Sequence, residues 1–118
     1  MYRLSILLFA VAALAGVTMA VMHFRGTTPP RPALAAIHGL FAASGLVVLL
    51  LALLKVGFGG TPGMALGLFA LAALGGFALL SFHLRGRALP SGLVVGHGLL
   101  AVAGFVLLVA AEYVLISG

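Results

Sequence analysis

Residues 8–16, LFAVAALAG, return almost unchanged at residues 68–76 as LFALAALGG. Three further pairs of segments match in the same order along the chain: HFRG at 23–26 with HLRG at 83–86, Pro30 with Pro90, and HGLFAASG at 38–45 with HGLLAVAG at 97–104. Apolar stretches resemble one another by chance, whereas histidine, arginine, proline and glycine at matching spacing do not. The sequence therefore predicts two tandem copies of one unit.

The composition indicates that both copies lie in a lipid bilayer. Of the 118 residues, 64% are hydrophobic and only 6% are charged, and the mean hydropathy is +1.39. A soluble domain carries about 25% charged residues, so this chain has too little polar surface to cover itself in water. A bilayer accepts such a surface because its interior is itself apolar.

The apolar stretches predict helices, because they are long and do not alternate with polar residues. Lipid also offers no hydrogen-bond partners, so the backbone N–H and C=O groups must bond to each other, as they do in a helix. We expect helices near residues 4–23, 33–55, 62–83 and 91–116. The connections are too short for a soluble domain, so consecutive helices are antiparallel. The predicted fold class is an all-α integral membrane protein, a four-transmembrane-helix bundle of two tandem parallel helical-hairpin repeats. The repeats span residues 1–56 and 63–118, and residues 57–62 connect them.

Because each copy contains two helices, both copies enter the membrane in the same orientation. This predicts a pseudo-two-fold axis along the membrane normal. The first apolar run, with Arg3 before it and small residues at 18–20, also has the composition of a signal peptide. It is the partner of the third helix, however, so we expect it to remain in the protein.

The charges predict an orientation. The six basic residues outnumber the single acid, Glu112. Most of them flank the hairpin loops at residues 24–32 and 84–90, whereas Arg3 and Lys55 lie toward the other side. The positive-inside rule then places both hairpin loops in the cytoplasm and both termini on the opposite side of what we expect to be a bacterial inner membrane. The basic residues form no soluble patch, so nucleic acid is not an expected partner.

Several kinds of chemistry are excluded by residue types that the chain lacks. Cysteine is absent, which excludes disulfides, iron–sulfur ligation and covalent haem attachment. Glu112 is the only carboxylate side chain. Paired-carboxylate acid–base catalysis, a Ser-His-Asp triad and oxygen-ligand magnesium sites are therefore excluded within this chain.

The four histidines all belong to the repeat and carry the functional hypothesis. His23 and His83 end the first and third predicted helices, and His38 and His97 lie about two turns inside the second and fourth. All four imidazoles are therefore expected at similar depth near one membrane face. Each helix also has a glycine seven residues deeper on the face of its histidine, namely Gly16, Gly45, Gly76 and Gly104.

This pattern points to haem b. Histidine is an axial ligand of haem iron, polar side chains at membrane depth are costly and usually functional, and the glycines would clear a flat space for a macrocycle. Arg25 and Arg85 would pair with its propionates through their guanidinium groups. The layout resembles, in general architecture, small membrane b-type cytochromes and the haem-bearing anchors of respiratory enzymes. One or two haems are compatible with the pattern.

The ligand pairing stays open. Symmetry allows His38 with His97 and His23 with His83 across the axis, and a hairpin could instead hold its own haem between its two histidines. For a single pair we favour His38 and His97, because they lie deeper and glycine follows each. A non-haem metal or a chlorophyll-type pigment is a lesser alternative.

The predicted function is electron transfer by a b-type cytochrome-like protein, a small subunit of a larger respiratory or photosynthetic complex rather than a stand-alone enzyme. Other membrane subunits, the bilayer and quinone are the expected partners. The alternative is a non-catalytic accessory subunit, whose glycines allow close helix packing and whose basic loops bind a partner protein or anionic lipid. A small transporter is disfavoured because polar residues are lacking at the midplane.

Overall fold

The computed structural model describes residues 1–26 and 32–118, and in this part of the chain four α-helices form the fold. The helices are α1 at Arg3–Phe24, α2 at Pro32–Val56, α3 at Gly60–Leu84 and α4 at Ser91–Ser117. They confirm the four predicted helices to within two residues at each end. The predicted first hairpin loop at 24–32 lies in part outside the described residues.

All four helices are long and apolar enough to cross a membrane: the mean hydropathy of an 18-residue stretch in each lies between 2.1 and 2.5. The molecule measures 47 × 22 × 20 Å, and a bilayer with its headgroups is about 40–45 Å thick. Large apolar side chains cover its outside; Leu14, for example, is 72% exposed and Leu74 is 66% exposed. Such a surface is better suited to lipid than to water, which is consistent with an integral membrane protein.

The HFRG and HLRG motifs end α1 and α3 in the same way. In each motif the glycine, Gly26 or Gly86, has a φ of 64°, a left-handed conformation that glycine adopts without steric cost. The backbone N–H of that glycine donates to the carbonyl of His23 or His83. These bonds satisfy carbonyls that the helix end would otherwise leave open.

The helices pack as two hairpins, α1 against α2 and α3 against α4, which meet along the α1–α4 and α2–α3 seams. Helices α1 and α3 therefore lie diagonally opposite, and so do α2 and α4. Across the first diagonal, the rings of Phe9 and Phe69 stack with centroids 3.9 Å apart and planes 10° from parallel. Gly45 lies against the Phe9 ring and Gly104 against the Phe69 ring, so the two hairpins make matching contacts.

The packing is tight at the end of the bundle that carries the termini and looser at the end that carries the hairpin loops. Leu49, Leu53 and Leu108 are completely buried below the phenylalanine stack. In the loop half, which comprises the described residues 16–26, 32–44 and 73–103, no residue is buried. The side chains near the loops are therefore less completely buried than those near the termini.

An ionic contact closes the bundle between its first and last helices. The carboxylate of Glu112, in α4, accepts hydrogen bonds from the backbone N–H of Tyr2 at 2.8 Å and from Nε of Arg3 at 3.2 Å. The α-amino group of Met1 lies 3.1 Å from the same carboxylate. A negative charge at a helix N-terminus is favourable because it faces the positive end of the helix dipole.

Replacing Gly45 by alanine tests the close approach of Phe9. The added methyl group would lie 3.1 Å from the Phe9 ring, which is stacked and cannot turn away freely. We expect Gly45→Ala to lower the free energy of unfolding by about 1–3 kcal/mol, measured by denaturant titration in detergent micelles. Gly39→Ala on the same helix is the control, because nothing lies within 4 Å of its added methyl; equal losses in both variants would contradict the packing.

Tyr2 should give the stability a dependence on alkaline pH. Burial, and then the charge of Glu112, raise the pKa of the Tyr2 phenol above its ordinary value of 10.0. The folded protein thus disfavours the phenolate more than the unfolded chain does. The protonated phenol therefore contributes its full share of stability below pH 10.0, and this share is lost as the pH rises toward the raised pKa. We expect Tyr2→Phe to weaken the fall in stability between about pH 9 and about pH 11; an unchanged profile would count against the shift.

Candidate functional site

The imidazoles of His38 and His97 face each other across the second diagonal of the bundle. His38 belongs to α2 and His97 to α4, and the two occupy equivalent places in the repeat. Their ring centroids are 5.9 Å apart and their planes are inclined by 76°. The two rings thus lie edge to face between the hairpins.

One nitrogen of each ring is fixed by the backbone of a neighbouring helix. Nδ1 of His38 lies 2.7 Å from the carbonyl oxygen of Ala12, and Nδ1 of His97 lies 2.7 Å from that of Ala72. A carbonyl oxygen only accepts hydrogen bonds, so each Nδ1 must carry the proton. In the neutral ring, Nε2 then has a free lone pair, which is the state of a metal ligand whose other nitrogen is held by a carbonyl.

The Nε2 atoms make no hydrogen bond to the described chain, residues 1–26 and 32–118. In the same ranges no side-chain nitrogen or oxygen is fully buried without a hydrogen-bond partner. Neither Nε2 atom is therefore fully buried.

The glycines on the histidine faces have identifiable packing neighbours. A methyl group added at Gly16 would lie 3.0 Å from the His38 ring, and one added at Gly76 would lie 3.1 Å from the His97 ring. Glycine at these two positions lets the imidazole lie against the neighbouring helix and reach its carbonyl. Gly45 and Gly104 make room for the phenylalanine rings instead. The space beside each glycine thus holds a ring of this chain, and the role of the four glycines in cofactor binding stays a prediction.

Small residues line the layer between the histidine pair and the phenylalanine stack. Phe9 and Gly16 are separated by about 10 Å along α1, and Ala12, which is 3% exposed, lies between them. The equivalent layer of the other helices contains Ala42, Ala72 and Ala101. Alanine on all four helices leaves the centre of this layer without long side chains.

The other two histidines do not join the pair. Nε2 of His23 lies 3.0 Å from Oγ of Ser91, at the α1–α4 seam, and His83 is half-buried at the end of α3. Within the described ranges, 1–26 and 32–118, no three potential ligands lie close enough to hold one metal ion. The described structure thus brings His38 and His97 together and leaves His23 and His83 apart from them, and metal binding by His23 and His83 stays a prediction.

The predicted arginines lie at the loop end of the bundle. Arg25 and Arg85 are exposed and directly follow α1 and α3. The only acidic side chain of the sequence, that of Glu112, is bound at the opposite end. Both guanidinium groups are thus free of any carboxylate side chain of this chain.

Three parts of the site were missed by the sequence reasoning. The matched Phe9 and Phe69 were visible in the repeat, but nothing indicated that they meet. The carbonyl oxygens of Ala12 and Ala72 have no sequence signal, because every residue has one. Ser91 could have been suspected as a polar residue one helix away from His23.

Comparison with known proteins finds no protein-family model, no curated protein and no solved structure that matches this chain.

The hydrogen bonds of the pair predict its tautomer. In the metal-free protein at neutral pH we expect both His38 and His97 to carry the ring proton on Nδ1, because Ala12 and Ala72 offer only acceptors. Nitrogen-15 NMR of histidine-labelled protein distinguishes Nδ1–H from Nε2–H. Single His38→Ala and His97→Ala variants assign the signals, and an Nε2–H tautomer at either ring would contradict the geometry.

Proposed function

We propose that this protein is a membrane b-type cytochrome that transfers electrons, with one haem held between His38 and His97. The observation that carries the proposal is the facing pair of imidazoles, each with Nδ1 bound to a carbonyl and with Nε2 free. Nothing else described in the bundle combines two strong metal ligands with an apolar surrounding.

The ring separation supports ligation of one metal by both histidines. Metal–imidazole bonds are about 2 Å long, so two imidazoles on opposite sides of one ion have centroids roughly 6 Å apart. The observed centroid distance is 5.9 Å. Because only two ligands converge, a cofactor that supplies the remaining ligands itself, as a porphyrin does, fits this donor set.

The small side chains near the pair support a planar macrocycle, which His38 and His97 would hold. The alanine layer lies on its termini side, and the phenylalanine stack lies about 10 Å from the level of Gly16. On its loop side the interior contains no buried residue among those described. Arg25 and Arg85 would then meet the propionates at the loop end through charge-assisted hydrogen bonds.

The chemistry of such a site is simple. Haem iron, when bound, supplies the one-electron redox change. The chain fixes the ring orientation through Ala12 and Ala72, and these hydrogen bonds increase the basicity of Nε2. The apolar helices surround the pair with side chains of low polarity. One-electron transfer is therefore the activity that we assign to this pair.

The proposal includes the finer architecture and setting. The two hairpins are tandem copies related by a pseudo-two-fold axis along the membrane normal, and the facing Phe9–Phe69 and His38–His97 pairs support that relation.

We place the chain in a bacterial inner membrane with its hairpin loops in the cytoplasm. Because it has little mass outside the helices, we expect it to act as a subunit beside other membrane redox proteins, with quinone as a candidate electron partner.

A structural accessory subunit is the second candidate function. One observation favours it: imidazole and phenyl rings of the chain already occupy the space beside the four glycines. In that case the matched glycines serve internal packing alone, and the carbonyl bonds of the histidines merely satisfy buried polar groups.

An optical spectrum separates the two candidates. We expect protein purified from cells supplied with a haem precursor to show a Soret band, a sharp reduced α-band and one haem per chain. His38→Ala and His97→Ala should each lose most of the bound haem, because each removes one axial ligand. Denaturant titration of each variant shows whether it still folds.

His23→Ala and His83→Ala are the matched controls, and both should keep the full haem content. A colourless wild-type protein would remove the haem proposal in favour of the accessory subunit. Full haem content in both His38→Ala and His97→Ala would show that the ligand pair is wrong.

A further inference from the structure

At the termini end of the bundle, Lys55 is a cation without an acidic partner. The carboxylate of Glu112 is already engaged by Arg3 and by the α-amino group of Met1. No other acidic residue occurs in the sequence. In the described part of the chain, Lys55 takes part in no ion pair or hydrogen bond. Its charge therefore needs a counterion from outside the chain.

An open apolar groove leads to this cation along the outside of α2. Val48, Leu51 and Ala52 line it together with Lys55 and Met1. Leu51 and Ala52 each lie three or four residues from both Val48 and Lys55, so the four α2 positions form a stripe on one side of the helix. From Val48 to Lys55 the stripe is about 10 Å long, and Lys55 lies one residue before the end of α2.

The groove faces lipid, and its cation lies at headgroup level. The 47 Å length of the molecule places the helix ends near the membrane surfaces. A lysine at such a position extends its charge to the interface while its methylenes stay along apolar surface. A ligand at this place must therefore join an apolar chain to an anionic group.

We propose that this groove is a binding site for an anionic phospholipid. The lipid phosphate pairs with the Lys55 ammonium, and the first part of one acyl chain lies over Val48, Leu51 and Ala52. A basic residue near the membrane surface favours anionic over neutral lipid by about fivefold. This site is independent of the histidine pair, so haem binding and lipid binding can fail separately.

Photoactivatable lipids test the site directly. The protein is reconstituted in bilayers that contain either phosphatidylglycerol or phosphatidylcholine with a diazirine on the acyl chain, and cross-linked peptides are mapped by mass spectrometry. We expect phosphatidylglycerol to label residues 48–55 several times more strongly than phosphatidylcholine does. Equal labelling by the two lipids would overturn the role of the charge.

Two variants separate the headgroup contact from the groove. Lys55→Gln should lower phosphatidylglycerol labelling of residues 48–55 by about fivefold and leave phosphatidylcholine labelling unchanged. Ala52→Phe should lower labelling by both lipids, because its ring fills the groove. Arg87→Gln, at the opposite end of the bundle, is the control and should change neither. Undiminished labelling in Lys55→Gln, with the fold verified by circular dichroism, would overturn the proposal.

Discussion

An imidazole inside an apolar helix bundle has two nitrogens to satisfy, and the bundle offers little besides backbone carbonyls. At His38 and His97 one of the two ring nitrogens has a hydrogen-bond partner. Nδ1 donates to the carbonyl of Ala12 or Ala72, and Nε2 makes no hydrogen bond within the described residues. Gly16 and Gly76 are glycine because the rings must lie close enough to the neighbouring helix to reach those carbonyls. The packing of both hairpins follows from this arrangement.

The fold could be predicted from the sequence because lipid imposes a simple rule. Each span needs about 20 apolar residues, and Pro62, Pro90 and the HFRG and HLRG motifs interrupt the pattern where helices begin or end. The match between His38 and His97 made a facing pair one of the two pairings that the sequence allowed, and their greater depth favoured it for a single pair. These features depend on spacing along the chain, which a sequence records.

The details of the interior could not be predicted, because these helices are apolar on every face. Nothing in LFAVAALAG distinguishes Phe9, which is buried against Phe69, from Leu14, which is 72% exposed. For the same reason nothing in the sequence indicated that the Phe9 and Phe69 rings lie against Gly45 and Gly104. His23 was grouped with the other histidines by the repeat and by depth, and its contact with Ser91 required knowledge of the α1–α4 seam.

The phenylalanine stack has a consequence for how the two hairpins are joined. Phe9 and Phe69 belong to different hairpins and stack across the centre, and the completely buried Leu49, Leu53 and Leu108 pack on the termini side of the two rings. The described residues of the loop half include none that is buried. The hairpins are therefore clamped most tightly at the end that carries the termini, and a movement of one hairpin relative to the other would displace the loop ends more than the termini.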